Sequence, residues 1–156
     1  MISPEVLRRY PFFGALADAC LKEIAMLAEE VSYEPDQTLY DTGEAAFTLY
    51  LLLEGSVETY LVVGDPEYPG KKKEYYLGDV NPGDVFGMSA MVEPFKHTTM
   101  TRAGQACRVV ALDGAGLHKL CADSPEVGYE LMTQVARSAL ERLQSTRVQL
   151  AATRHG

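Results

Sequence analysis

From Val31 to about Asp113 the chain is broken by turn signals at short, regular intervals. They are Pro35-Asp36, Thr42-Gly43, Glu54-Gly55, Gly64-Asp65-Pro66, Gly78-Asp79 and Pro82-Gly83-Asp84. Between them lie segments rich in aromatic and branched residues, such as Phe47 to Leu53, Val57 to Val63 and Arg108 to Leu112. Proline and glycine stop a helix, whereas such segments suit a pleated, half-buried surface. Many short strands punctuated this way predict a closed or sandwiched antiparallel β structure.

The flanks follow a different period. Pro11, Phe12 and Phe13 precede a short helix that Asp18 is placed to cap, and Leu21, Ile24, Ala25 and Ala28 fall on one helical face. After Asp113, Leu117, Leu120 and Cys121 mark a short helix that ends at Ser124-Pro125. From Glu126 to about Ala152 the sole Gly or Pro is Gly128, which predicts a helix of roughly 40 Å. Its apolar positions include Leu131, Met132, Val135, Ala136, Ala139, Leu140, Leu143 and Leu150. That stripe is broad enough to pack on the chain's own sheet and on a second helix, so a homodimer through this helix is the expectation.

The expected fold is α+β: an antiparallel β-roll of the double-stranded β-helix or jelly-roll type, flanked by N-terminal helices and a long C-terminal helix. Residues 1–156 read as one domain, a size that buries a real core. A net charge of −8 argues against a general nucleic-acid surface. Lys71, Lys72 and Lys73 form the one basic run and read as a solvated loop. Cys20, Cys107 and Cys121 make no CxxC pair, and Cys20 and Cys107 sit among apolar neighbours as small buried hydrophobes. No signal peptide or membrane span is read from the sequence, so the expected location is the cytoplasm, with no membrane partner.

Enzyme motifs are missing from the pattern. His97, His118 and His155 form no HxH cluster of the kind a cupin-type metal site needs, and His118 reads as a surface residue. There is no GxSxG elbow, P-loop or Cys/His pair. A non-enzymatic chain without required cofactor is the expectation.

One segment is more specific. Pro82-Gly83-Asp84-Val85-Phe86-Gly87 is followed by Met88-Ser89-Ala90-Met91-Val92 and later by Thr101-Arg102-Ala103. Earlier come Asp41-Thr42-Gly43-Glu44 and Tyr50 to Val57. This ordered set resembles the cyclic-nucleotide-binding domain family of the catabolite-activator type, over nearly the whole chain. Independently of that likeness, glycines at 83 and 87 permit turns and close backbone approach, and a short helix from Gly87 or Met88 would aim free N–H groups at an anion.

The resemblance implies a regulatory, ligand-sensing domain. Its candidate ligand-binding residues are Phe86, Gly87, Met88, Ser89, Ala90, Lys96, His97, Thr98, Thr99 and Arg142, and its candidate ligands are cAMP, cGMP or another small anion. The resemblance also implies a Glu after Phe-Gly for the ribose hydroxyl and an Arg five residues before Arg-Ala for the cyclic phosphate. Here those positions hold Met88 and His97. Methionine offers no comparable acceptor, and histidine is mostly neutral at pH 7 where arginine is charged and bidentate. Lys96, Arg102 and Arg142 are the cations available to compensate. The alternatives to cyclic-nucleotide sensing are therefore a different small ligand, or a dimeric scaffold with a vestigial pocket. The family's helix-turn-helix is not among these 156 residues, so the expectation is either an unidentified downstream protein as partner or a stretch belonging to a longer chain.

Overall fold

The structure, a computed structural model, describes residues 2–155, without the His155 side chain. Three short helices open the chain: α1 (Pro4–Arg8), α2 (Pro11–Gly14) and α3 (Asp18–Met26). Pro11, Phe12 and Phe13 thus form a helical turn of their own rather than the approach to one. Asp18 is the first residue inside α3, not its cap, and its carboxylate pairs with Arg8 instead. Leu21, Ile24 and Ala25 bury one face of α3, but the helix stops at Met26. Ala28, which continued the helical spacing, is the first residue of a strand.

Eight strands follow in two four-stranded antiparallel sheets. One runs in the order β1 (Ala28–Tyr33), β8 (Cys107–Asp113), β3 (Thr48–Glu54), β6 (Val85–Phe86). The other runs β2 (Thr38–Tyr40), β7 (Met100–Ala103), β4 (Val57–Gly64), β5 (Lys72–Val80). A single 3₁₀ turn, Met88–Met91, links β6 to the segment before β7.

Side chains alternate across a strand, and β3 uses both of its faces. Leu49 and Leu51 join a core shared with the helices, while Tyr50 and Leu52 join the interior of the roll. Its neighbour β8 does the same, with Val110 and Leu112 on the helix side and Val109 inside the roll. Burial on both faces explains the continuous apolar run from Leu49 to Leu53. Gly55 turns the chain between β3 and β4 with φ +91°, and a Cβ there would lie 2.4 Å from the Ala106 carbonyl oxygen. Only glycine fits that corner.

Two helices complete the chain, α4 (Gly114–Asp123) and α5 (Pro125–His155). The Asp113 carboxylate caps α4 by accepting from the Gly116 amide at 3.2 Å. Proline occupies the first position of α5, where its missing N–H costs nothing. With 31 residues this helix is about 46 Å long at 1.5 Å per residue. Leu131 and Val135 anchor its first half in the core shared with α1–α3. Among the described residues, no helix is long and apolar enough to cross a membrane.

Candidate functional site

A cavity of about 360 Å³ lies between the second sheet, the turn at residues 87–89, the segment 97–99 and the second half of α5. Gly87 begins the turn in the left-handed region at φ +74°, and a Cβ there would come within 2.9 Å of the Tyr50 ring. Of the residues expected to bind ligand, the cavity brings together Gly87, Met88, Ser89, His97, Thr98, Thr99 and Arg142. Three do not line it. Phe86 packs fully buried inside the roll. Ala90 is buried, and its carbonyl accepts from the His118 ring at 2.7 Å. Lys96 is exposed on the rim, its backbone bridged to Ala45.

That contact also corrects the reading of His118 as a surface residue. It is half-buried, with its ring edge-on to Phe95 at 5.0 Å. Arg102, weighed as a substitute cation, is engaged elsewhere: its guanidinium donates to both carboxylate oxygens of Glu74, at 2.9 and 3.0 Å, and lies over Tyr60.

His97 is buried, at 6% exposure, and stacks flat on Tyr40, with 3.6 Å between ring centroids and 11° between planes. Its backbone is pinned on both sides, since the Gly43 amide donates to the His97 carbonyl at 2.8 Å and the His97 amide donates to Glu44 at 2.9 Å. Burial pushes the imidazole below its ordinary pKa, against a smaller opposing pull from Glu44. His97 is therefore a neutral wall at pH 7.

Tyr40 forms the other half of that wall. Burial pushes its phenol up from the usual value, while Arg142, Thr101, the Gly87 amide and Thr99 pull the other way. The Thr101 hydroxyl is buried and outside hydrogen-bonding geometry with any described group.

Arg142 reaches in from α5. Its Nη2 donates to the Val85 carbonyl, and burial lowers its pKa from the ordinary value while Tyr40 and Asp84 act in the opposite sense. It is the one Lys or Arg lining this cavity, and it also lines an adjoining cleft of about 440 Å³ with Asp84, Arg137 and Glu141. Sequence reasoning missed Tyr40, Thr59, Leu77 to Val80, Ser145, Thr146 and Gln149. The helical residues had a signal: Ser145, Thr146 and Gln149 follow Arg142 at spacings that keep them on its face. Tyr40 had none, because an aromatic residue in a strand reads as core.

The family model described as the cyclic nucleotide-binding domain matches residues 30–124. The chain belongs to the cyclic nucleotide-binding domain family. A protein of Geobacter metallireducens, described as a candidate cyclic nucleotide-binding protein, superimposes with a TM-score of 0.79 and 36% identity over 92% of this chain and 99% of its own. The CRP-like cAMP-activated global transcriptional regulator of Mycobacterium tuberculosis is 26% identical over 147 residues, which are 94% of this chain and 61% of the regulator. The cAMP-activated global transcriptional regulator CRP of Salmonella typhimurium is 32% identical over 115 residues, 73% of this chain and 50% of that protein. The chain thus spans about half to three-fifths of the length of these two regulators. Membership in the family fits the observed fold: an antiparallel roll with short helices before it and a long helix after it. Among the described residues no group of His, Cys, Asp and Glu is placed to hold a metal ion.

Proposed function

We propose that residues 1–156 act as one ligand-sensing regulatory domain, with the sensed molecule in the cavity between the roll and α5. One observation carries this reading. Arg142, Thr146 and Gln149 from α5 line the same cavity as Gly87 to Ser89 and His97 to Thr99 from the roll. An occupant touches both bodies at once, so its binding energy favours one disposition of the helix over another. A ligand shifts a conformational equilibrium only through such differential contact. The two regulators are named as cAMP-activated, which supports a small-molecule signal as the input.

The test is a thermal-shift panel of cyclic mono- and dinucleotides, nucleotides and small anions on the wild-type chain. A ligand that binds the native state raises the melting temperature with the logarithm of its excess over Kd, by about 2.7 kcal/mol of stability at a hundredfold excess. At least one class is expected to raise it, with the effect lost in Thr146→Tyr, which fills the cavity from the helix. A panel that leaves the melting temperature unchanged at millimolar concentration overturns the reading.

A second reading rests on the exposed apolar stripe of α5. Tyr129, Met132, Leu140, Leu143 and Leu150 are exposed on one side, spaced three, four or seven residues apart, with Ala136 among them. A stripe of this kind suits a second helix, and a second copy of the chain is the partner it fits. Under this reading the dimer forms without ligand and the cavity is vestigial.

A further inference from the structure

The end of the cavity at Gly87 is walled by stacked rings of the protein itself. Tyr40 lines the cavity yet is only 6% exposed, because its ring is sandwiched. His97 stacks on it, and Tyr50 and Phe86 lie at 6.0 and 6.4 Å, inclined by less than 30°. The backbone is fixed at both members of the Tyr40–His97 pair. Tyr40 ends β2 and pairs with Thr101 of β7, and His97 is held through its own backbone by Gly43 and Glu44.

Charge points the same way. The walls at this end are a phenol, an imidazole and the hydroxyls of Ser89, Thr98 and Thr99. The sole cation, Arg142, enters from α5 and already donates to the Val85 carbonyl. A phosphate brought against this wall would lose its water and find no cation on the roll side. Its one counter-charge is Arg142, which reaches in from α5 with its guanidinium bonded to the Val85 carbonyl, and a poorly paired buried charge is strongly disfavoured.

We propose that Tyr40, clamped on His97, is the specificity-determining residue of the cavity: it bars a phosphate from the Gly87 end and turns the site toward ligands that present an uncharged group there. This inference rests on the ligand-sensing reading above. Burial, which keeps the imidazole deprotonated and the phenol protonated at neutral pH, adds to it by leaving the wall without charge.

The test compares cyclic AMP with adenosine, which share base and sugar and differ in the phosphate. Calorimetric titrations are run on the wild-type chain, on His97→Arg, on Tyr40→Phe with His97→Arg, and on Tyr40→Leu with His97→Arg. The Leu pair removes the ring and supplies the missing cation, and is expected to bind cyclic AMP at least tenfold more tightly than His97→Arg alone. The Phe pair keeps the ring and is expected to gain nothing over the single change. Adenosine affinity is expected to stay within about twofold across the set.

His97→Arg alone matching the Leu pair overturns the proposal, because the ring would then not be the obstacle. An equal gain for adenosine also overturns it, since the change would have opened room rather than readmitted a phosphate. Each variant is first checked for a cooperative melt, and if Tyr40→Leu lacks one, Tyr40→Met serves the same comparison. The wild-type ligand panel is a separate measurement, so failure of the ligand-sensing reading is seen there and not in these differences.

Discussion

Gly87 shows what a single residue contributes to this site. Its φ of +74° is a conformation that residues with a Cβ rarely adopt, and an alanine methyl would meet the Tyr50 ring at 2.9 Å and the Thr48 carbonyl at 3.0 Å. Gly87→Ala is expected to cost about 1–3 kcal/mol from backbone strain alone, read as a lower urea midpoint. His97 gives a pH signature. Its folded pKa lies below the ordinary 6.5, so above that pH both states are neutral and its contribution is constant. As pH falls below about 6.5, the unfolded chain takes up a proton before the folded one does, and stability is lost down to the folded pKa. Urea denaturation across this range should show a shallower loss in His97→Gln than in the wild type. At this scale the sequence was informative where backbone geometry dictates residue type. Gly83 and Gly87 could be read because turns and close approach need them, whereas the Arg102-Ala103 pair was legible only through the family resemblance. Tyr40 was hidden: nothing in Thr38-Leu39-Tyr40 distinguishes a tyrosine facing a cavity from one in a core. Lys96 and His97 are adjacent in sequence, yet the strand-like alternation of the segment turns one outward and the other inward.

Among the elements, helix starts and stops were easier to place than the exchange between helix and strand. Ser124-Pro125 ends α4 and begins α5, as the proline requires. Ala28 was assigned to a helix because its spacing from Leu21 fits one. It is buried instead as a strand residue opposite Leu112, since a short apolar residue satisfies either period. The cap of α4 is a clean test of local physics. Asp113→Ala removes the acceptor for the Gly116 amide and is expected to cost about 0.5–2 kcal/mol, measured by denaturation. The exposed stripe of α5 makes a prediction of another kind. Leu143→Glu, with 44% of Leu143 open to solvent, should leave the melting temperature of the isolated chain nearly unchanged. If α5 pairs with a second copy, the same change should shift sedimentation from dimer to monomer. A wild-type chain that sediments as a monomer at high micromolar concentration removes the pairing altogether.

For the molecule as a whole, the second half of α5 is held to the roll by few contacts, and Arg142 is the main polar one. The helix beyond it is exposed, whereas Leu131 and Val135 root the first half in the core. Arg142→Ala is expected to release the distal half. Backbone amides from 142 to 152 should exchange with deuterium at least about tenfold faster, the size of losing one hydrogen bond to a charged group. Those of β3 and β8 should be unaffected. Uniform acceleration across the chain would mean that Arg142 supports the whole fold rather than the docking of one helix. The two-sheet plan and the flanking helices were legible from turn spacing and apolar period. The disposition of α5 over the cavity was not, because a residue such as Gln149 carries no local mark of which neighbour it meets.

The Tyr40–His97 stack has an optical consequence. The chain has nine tyrosines and no tryptophan, so its near-ultraviolet absorption is a tyrosine spectrum. Tyr68, Tyr75, Tyr76 and Tyr129 are exposed and contribute a background that an occupant of the cavity leaves alone. Tyr40 forms part of the cavity wall, so a guest that changes the polarity around its ring shifts its band in a difference spectrum. The wall of the site is its own chromophore, and filling the site can be followed in solution without a label.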